Sequence, residues 1–561
     1  MKNKFLLLAV AAAPLLTVAA TDEQIESAAD VLDQTIQSEQ QRREATRPAE
    51  VPPASELPSE LELDLSNIPA GENCIELERL AIDGARVMDE WDLEVLEAPL
   101  VGKCISPELA STALAKATNY YLQRGFVTTR AYLPNQDLSD GVLTVYIAEG
   151  RVQQVVAKGS PELNVAPVYT PDEDMPLNIR DLEQAVDQMN AIPGNDVTMQ
   201  IEPGDAPGES NVVFENRGEP KPVHTLSIDN SGSESVGLDA MSLRVVTGDV
   251  LNNHVVSLYY RKTKDTDDKH SYSGNLNVAM PWGYNTFSLG HTRGGFETIL
   301  TFPITGTQLD NEGANQSTYA EWNRVFFRDQ TSKHSINFKA KRDSVESYLD
   351  GQLIGVNSRT LDAVEISTNS VWGFGNKVLT LKPEFAIGIS EVDNLPAGVN
   401  TPVENPQSEY LRFKLTADWQ HPFTLGSQSL LWGSKFVGQM ATVPMYGSQQ
   451  LNVGGAASVR GSTDVTISGD EGNYWQNTLT LQKQVPMNGV VVNQDYYIGY
   501  DTGRVRSMRE GQYEGDMEAG VVGTNWTFGA WKLDIKHSIP VRVARQDKGD
   551  KFTTTALSVD F

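Results

Sequence analysis

Cysteine and histidine are scarce in this chain, two and seven among 561 residues, and that scarcity argues against metal and thiol chemistry from the outset. The histidines, His224, His254, His270, His291, His334, His421 and His537, are scattered singly. A P-loop pattern, an HExxH, a GxSxG elbow and a CxxC are all missing, which removes the common sequence routes to nucleotide binding, zinc hydrolysis, an activated serine and dithiol redox work. The expectation is a protein that is not an enzyme, holds no metal and uses no cofactor.

Positive charge is also in deficit. Forty-five Lys and Arg stand against 74 Asp and Glu, for a formal net charge of −29. A polyanion partner needs a basic surface to displace its counterions, so nucleic acid is excluded as a partner. Beyond residue 20 there is no apolar run long enough for a membrane-crossing helix. Lipid admits only helices and closed barrels, so the chain is either soluble or crosses a membrane as a β-barrel.

What is present begins at the N-terminus. Lys2 and Lys4 precede an apolar run from Phe5 to Leu16, and Val18-Ala19-Ala20 supplies small residues for cleavage, so residues 1–20 read as a secretory signal peptide. Export favours pairing of Cys74 with Cys104 in a disulfide. A loop of roughly 30 residues closed in this way is worth about 3.5 kcal/mol on the chain-entropy model. Residues 21–45 read as a thin, mostly polar helix with Ile25, Ala28, Ala29, Leu32 and Ile36 at helical spacings. Residues 46–70, with Pro48, Pro52, Pro53 and Pro58 among glutamates, read as an extended linker.

Two small α+β units follow. Over 71–149 the order is β-α-α-β-β, with Ser106 as N-cap and Pro107 as first residue of the longer helix, which Gly125 ends. Over 150–219 a strand, a helix from Asn178 to Met189 and two more strands repeat the theme. From 220 to 561, segments of about ten residues alternate apolar with polar side chains between Gly, Asn and Asp clusters. They centre near Leu226, Leu243, Leu258, Leu276, Phe287, Trp322, Ile336, Val364, Leu379, Phe413, Leu431, Leu479, Ile498, Val522, Leu533 and Leu557. That is the signature of a transmembrane antiparallel β-barrel of about 16 strands, wide enough to enclose water and bounded by outer-membrane lipid.

Between the eleventh and twelfth of these segments one cation, Arg460, sits among glycines and small residues in the run Gly454 to Asp464. Period-2 alternation puts Tyr496, Ile498 and Tyr500 on one face of a later strand and Tyr497, Gly499 and Asp501 on the other. Asp501 is the expected partner of Arg460, with a pore-lining loop around 454–470 folded back into the barrel. A guanidinium suits this task because it holds a carboxylate bidentately and stays charged. Gly461, Gly499 and Gly503 leave room for the approach.

These motifs resemble a known family. The run from Gly125 to Arg130, then Leu133 to Leu138 and Asp140-Gly141, resembles the first POTRA domain of two-partner secretion transporters. Leu177 to Ala185, Glu202-Pro203-Gly204 and Pro207 to Ser210 are similar to that family's second domain. Val459-Arg460-Gly461 resembles the VRG loop motif of the Omp85 superfamily, and Tyr500-Asp501-Thr502-Gly503 its receiving strand motif. Ser462 departs from the aromatic usual after the glycine.

The resemblance implies an outer-membrane transporter of TpsB type with its POTRA domains in the periplasm. They would bind an unfolded TpsA-type exoprotein client of haemolysin or adhesin kind, with candidate contacts at Arg130, Gln136, Asp137, Arg180 and Asp181. The client would thread the barrel without a nucleotide, and the N-terminal helix would plug the pore at rest. A barrel assembly factor of the same superfamily and a passive porin remain open as alternatives at this point.

Overall fold

The computed structural model describes residues 74–159, 163–249, 252–264, 269–301, 306–355, 357–390, 406–461, 466–487, 489–509, 514–543 and 550–561. The expected signal peptide, the helix over 21–45, the linker over 46–70 and Ser462 lie outside these residues.

The first unit contains β1 (Arg79–Asp83), α1 (Glu90–Glu97), α2 (Pro107–Gln123), β2 (Arg130–Tyr132) and β3 (Val142–Ala148). Its sheet order is β1-β3-β2, with β1 parallel and β2 antiparallel to β3. Helix α2 starts where local chemistry dictates. The Ser106 hydroxyl accepts from Leu109 N at 3.2 Å, and Pro107, lacking an N–H, occupies the first turn where none is needed. Leu109, Ala113, Ala117 and Tyr121 then fall on one face and pack against Leu143, Val145 and Ile147 of β3. Strand β2 has only three residues, because Phe126–Thr129 before it is a turn, held by Phe126 N to Tyr121 O at 2.9 Å and Thr129 N to Phe126 O at 3.2 Å.

The second unit contains β4 (Arg151–Gly159), α3 (Ile179–Asn190), β5 (Val197–Pro203) and β6 (Glu209–Asn216), in sheet order β4-β6-β5. Its core gathers Leu182, Ala185 and Met189 from the helix against Val212 and Phe214. The two units meet at Gly125. This residue has φ +91°, its carbonyl accepts from Ile179 N at 2.9 Å, and an added Cβ would stand 2.4 Å from Asn178 Oδ1. The end of α2 is thereby joined to the start of α3.

Sixteen antiparallel strands, from Val223–Asp229 to Phe552–Asp560, then close a barrel, with one two-residue extension at Gln352–Leu353. Each of the sixteen segment centres read from the alternation falls in a different one of them. Closure is made by the last strand pairing with the first, Ala556 opposite Asp229 through Asp560 opposite Thr225. At one end the connections are tight: Gly283, Gly375, Gly426 and Gly529 sit in two-residue turns with φ between 54° and 64°. Exposed Trp282, Phe374, Phe528 and Trp531 stand beside these turns, and Leu258, Leu276, Leu289 and Ile498 continue an outward apolar face. An apolar band edged with aromatics is what a bilayer requires of a barrel.

The second unit is fixed to the short-turn end. Gly283 N donates to Pro167 O at 2.9 Å, and Asn253 Nδ2 to Asn164 O at 2.8 Å. Arg328, its side chain buried, reaches Glu183 at 3.2 Å and Asp187 at 2.5 Å on α3, and Lys333 adds a second cation on Asp187 at 3.0 Å.

Cys74 and Cys104 are joined, with Cα atoms 5.6 Å apart, tying the residues before β1 to the residues before α2. Reduction of this bond in the full chain should weaken the first unit by about 3.5 kcal/mol, or about 400-fold in amide exchange across α1 and α2. Hydrogen–deuterium exchange with and without reductant checks this, and the barrel strands should be unchanged.

Candidate functional site

A 16-stranded barrel is too wide for its own side chains to fill. Its lumen is crossed instead by the connection between the eleventh strand, Gln428–Ala441, and the twelfth, Glu471–Met487. Within that connection Leu451–Val453 pairs antiparallel with Ile467–Gly469, giving the loop a stiff base.

Arg460 lies beyond this base and meets Asp501 on the thirteenth strand, Val490–Arg506. Arg460 Nε donates to Asp501 Oδ2 at 2.6 Å and Nη2 to Oδ1 at 2.6 Å, a bidentate pair. The backbone N–H of Arg460 adds a third bond to Oδ2 at 3.0 Å, and Nη2 also donates to Thr478 Oγ1 at 3.0 Å. Asp501 is fully buried and the Arg460 side chain is 13% exposed. This carboxylate is therefore compensated by three donors, the condition under which a buried charge is tolerated.

Apolar packing and close backbone approach seat the loop around that pair. Val453, Val459 and Ile467 of the loop pack with Val437, Tyr474, Val505, Met517 and Ala519 of the wall. A Cβ on Gly503 would stand 2.5 Å from Val453 Cγ1, one on Gly461 would stand 2.6 Å from Ala519 Cβ, and one on Gly499 would stand 2.7 Å from Arg460 Nη2. These glycines mark where loop and wall touch. Gln476, opposite Asp501 on the twelfth strand, donates to the Ser458 carbonyl at 2.5 Å.

Two further attachments had no motif to announce them. Asp470, fully buried where the loop returns to the wall, accepts from Met445 N at 2.7 Å and Met508 N at 2.8 Å. Gln449 reaches the wall built by the seventh to tenth strands. It accepts from Tyr410 Oη at 2.9 Å and donates to Asp343 Oδ2 at 3.4 Å. That wall carries Lys341–Glu365 at 3.0 Å, Lys341–Asp343 at 3.3 Å and Arg412–Glu384 at 3.0 Å. An isolated Gln or Asp in a loop carries no sequence signal.

The structure thus brings Val459, Arg460, Gly461, Asp501 and Gly503 together. It distributes the five candidate client contacts differently. Arg130 and Asp137 are exposed on the first unit. Gln136 is engaged within it: its amide accepts from Thr144 N at 2.6 Å and donates to Thr144 O at 2.8 Å, covering the part of β3 that the short β2 leaves unpaired.

Arg180 and Asp181 do not lie on an open face: Arg180 is buried at the start of α3 beside Gly125 of the first unit, and Asp181 meets a barrel turn. Arg180 is buried against Glu183 at 2.7 Å, and Asp181 accepts from the Tyr284 hydroxyl at 2.5 Å. Burial pushes the Asp181 carboxyl above its usual range, and the Tyr284 hydrogen bond only partly offsets that. The exposed apolar side chains near Arg130 are Tyr132, Leu133 and Tyr146, with Tyr132 and Tyr146 opposite each other across β2 and β3.

A family model described as haemolysin secretion/activation protein ShlB/FhaC/HecB matches residues 208–526. A ShlB-type POTRA domain model matches residues 75–150, and a further POTRA model matches 151–203. The outer membrane transporter CdiB of Dickeya dadantii (strain 3937) is 28% identical over 423 residues, covering 74% of this chain and 74% of its own. The hemolysin transporter protein ShlB of Serratia marcescens is 25% identical over 444 residues, covering 78% and 77%. The solved structure of CdiB from Escherichia coli shares the fold, with a TM-score of 0.83 at 23% identity over 95% of this chain and 99% of that one.

Removing Asp501 strands a buried guanidinium, so Asp501→Ala should weaken loop docking by about 3 to 5 kcal/mol. Arg460→Ala added to it should cost less than about 1 kcal/mol more, because the partner is already gone. Amide exchange of residues 447–461 in the two single variants and the double variant closes the cycle. Additive single effects would contradict a coupled pair.

Proposed function

The chain belongs to the haemolysin secretion/activation family of ShlB, FhaC and HecB, and we propose that it is the outer-membrane transporter of a two-partner secretion pair. In this reading an exoprotein of haemolysin or adhesin kind reaches the periplasm unfolded and is captured by the two POTRA domains. It then threads the barrel and folds outside. Folding beyond the membrane supplies the direction of travel, so no nucleotide is needed.

The observation that carries the proposal is the lumen loop latched to the wall by Arg460 and Asp501, in a barrel whose short-turn end holds the second POTRA domain through Arg328. A loop held inside a wide barrel by a few concentrated contacts fits a pore that must be both closed and openable. Residues 21–45 are assigned as the plug. A helix of that length spans roughly 35 Å, enough to cross a bilayer core.

Capture by the first POTRA domain is assigned to the face bearing Tyr132, Leu133 and Tyr146, beside Arg130 and Asp137. An extended client can add to the free side of the short β2, with aromatic side chains gripping alternate residues. Recognition that reads backbone and apolar side chains suits a client that is unfolded when bound.

Export of a haemolysin- or adhesin-type exoprotein co-expressed with this chain tests the proposal. Arg460→Ala and Asp501→Ala should each reduce secreted client at least about tenfold with barrel levels in the membrane unchanged; undiminished export in both would refute the role given to the latch. Deleting residues 22–66 should raise planar-bilayer conductance, whereas unchanged conductance would remove the plug assignment. Insertion of other barrels without client export would instead favour an assembly factor.

A further inference from the structure

We infer that the outer face of the barrel holds one phospholipid of the leaflet on the short-turn side, its phosphate bound by Arg324 and one acyl chain lying in a groove beside a Trp322–Phe338 ring stack. The inference rests on the barrel spanning a bilayer and not on the identity of any exported client.

Strand register sets the outward side chains in rows. Next to the turns, Asn285 lies opposite Trp282 and Arg324, and Arg324 lies opposite Ile336. One step toward the bilayer centre, Met280, Phe287, Trp322 and Phe338 follow one another across four strands. A further step brings Leu289, Ala320, Ala340 and Val364. The rings of Trp322 and Phe338 are stacked, with centroids 5.3 Å apart and 17° between planes. Below them the two alanines leave the surface hollow, and a groove of about 350 Å³ opens there, walled by Phe287 and Leu289. A row of large side chains next to a row of small ones makes a channel rather than the even surface that an unspecialised lipid belt would meet.

Arg324 stands at the turn end of that channel. It is exposed, and among the described residues no carboxylate pairs with it. None of the three rows contains an acid, and the nearest outward ion pair on these strands, Arg342 with Asp362, is already matched at 2.7 Å beyond the third row. The neighbouring Asn285 is held by Trp322 Nε1, which donates to its Oδ1 at 2.9 Å, and its own Nδ2 donates to Trp282 O at 3.2 Å. The row therefore offers one unpaired guanidinium between an amide already occupied and an isoleucine.

A guanidinium facing lipid is costly unless it reaches an anion at the interface, and a phosphate diester is the anion a bilayer supplies there. Its planar fork matches two phosphate oxygens. The polarity also fits. Arg324 lies toward the turns and the groove lies toward the bilayer centre, which is the order of headgroup and tail in the leaflet on that side. A lipid of the opposite leaflet would present its phosphate at the other end of the groove.

Native mass spectrometry of the full chain, released from mild detergent and titrated with palmitoyl-oleoyl phosphatidylglycerol, tests the site. One lipid should be retained more tightly than the rest. Arg324→Gln should weaken that lipid about 5- to 10-fold, and Arg324→Lys should stay within about twofold of the wild type. Ala340→Phe, which fills the groove, should weaken the long-chain lipid but leave binding of dihexanoyl phosphatidylglycerol, which has almost no tail to place, unchanged. Heat-modifiable migration confirms that each variant is a folded barrel. Equal retention by wild type, Arg324→Gln and Ala340→Phe would overturn the proposal. A loss in Arg324→Gln with none in Ala340→Phe would overturn the groove.

Discussion

A sheet in lipid cannot leave an edge unpaired, because the exposed N–H and C=O groups have no water to turn to. Everything else in this molecule follows from meeting that constraint with sixteen strands. Pairing of Phe552–Asp560 with Val223–Asp229 removes the edge, and at this strand number the ring encloses a lumen that wall side chains cannot fill. The interior problem is thereby transferred to a loop.

The loop solves it with contacts that are few and concentrated. Asp501 is fully buried yet satisfied by two guanidinium nitrogens and a backbone N–H of Arg460, so the charge holds the loop rather than straining the wall. Val459, next to Arg460, is fully buried, and a side chain at position 503 of the wall would press on it and on Val453 of the loop. Gln449 and Asp470 secure the loop elsewhere, one on a wall rich in paired charges, the other at the return to the twelfth strand. Because each attachment is local, the loop can leave as a unit only if several are broken together. A resting pore therefore gains stability without being sealed by a continuous core.

The domains outside the lumen are arranged by the same economy of contacts. The second α+β unit grips the barrel through Arg328 and Lys333 on one side and α3 carboxylates on the other. It grips the first unit through the Gly125 carbonyl at the start of α3. One helix thus serves both joints, and Arg180 and Asp181, polar and early in α3, are engaged there rather than left on an open face.

The sequence by itself determined the local and periodic features. Alternation located all sixteen strands, because inward and outward positions differ in solvent and so in side-chain type. Ser106 and Pro107 placed the start of α2, and Gly125 its end, because cap chemistry acts within a few residues. Arg460 and Asp501 could be paired because a lone cation among glycines and an inward carboxylate among glycines each need a partner. Only the tertiary structure decided which partner each polar side chain meets: that Gln136 covers an unpaired stretch of β3, that Gln449 and Asp470 anchor the loop, and that Asp181 meets Tyr284 of the barrel. A polar side chain looks alike in sequence whether it meets water or a buried partner, and the difference appears only when folding brings that partner within hydrogen-bonding distance.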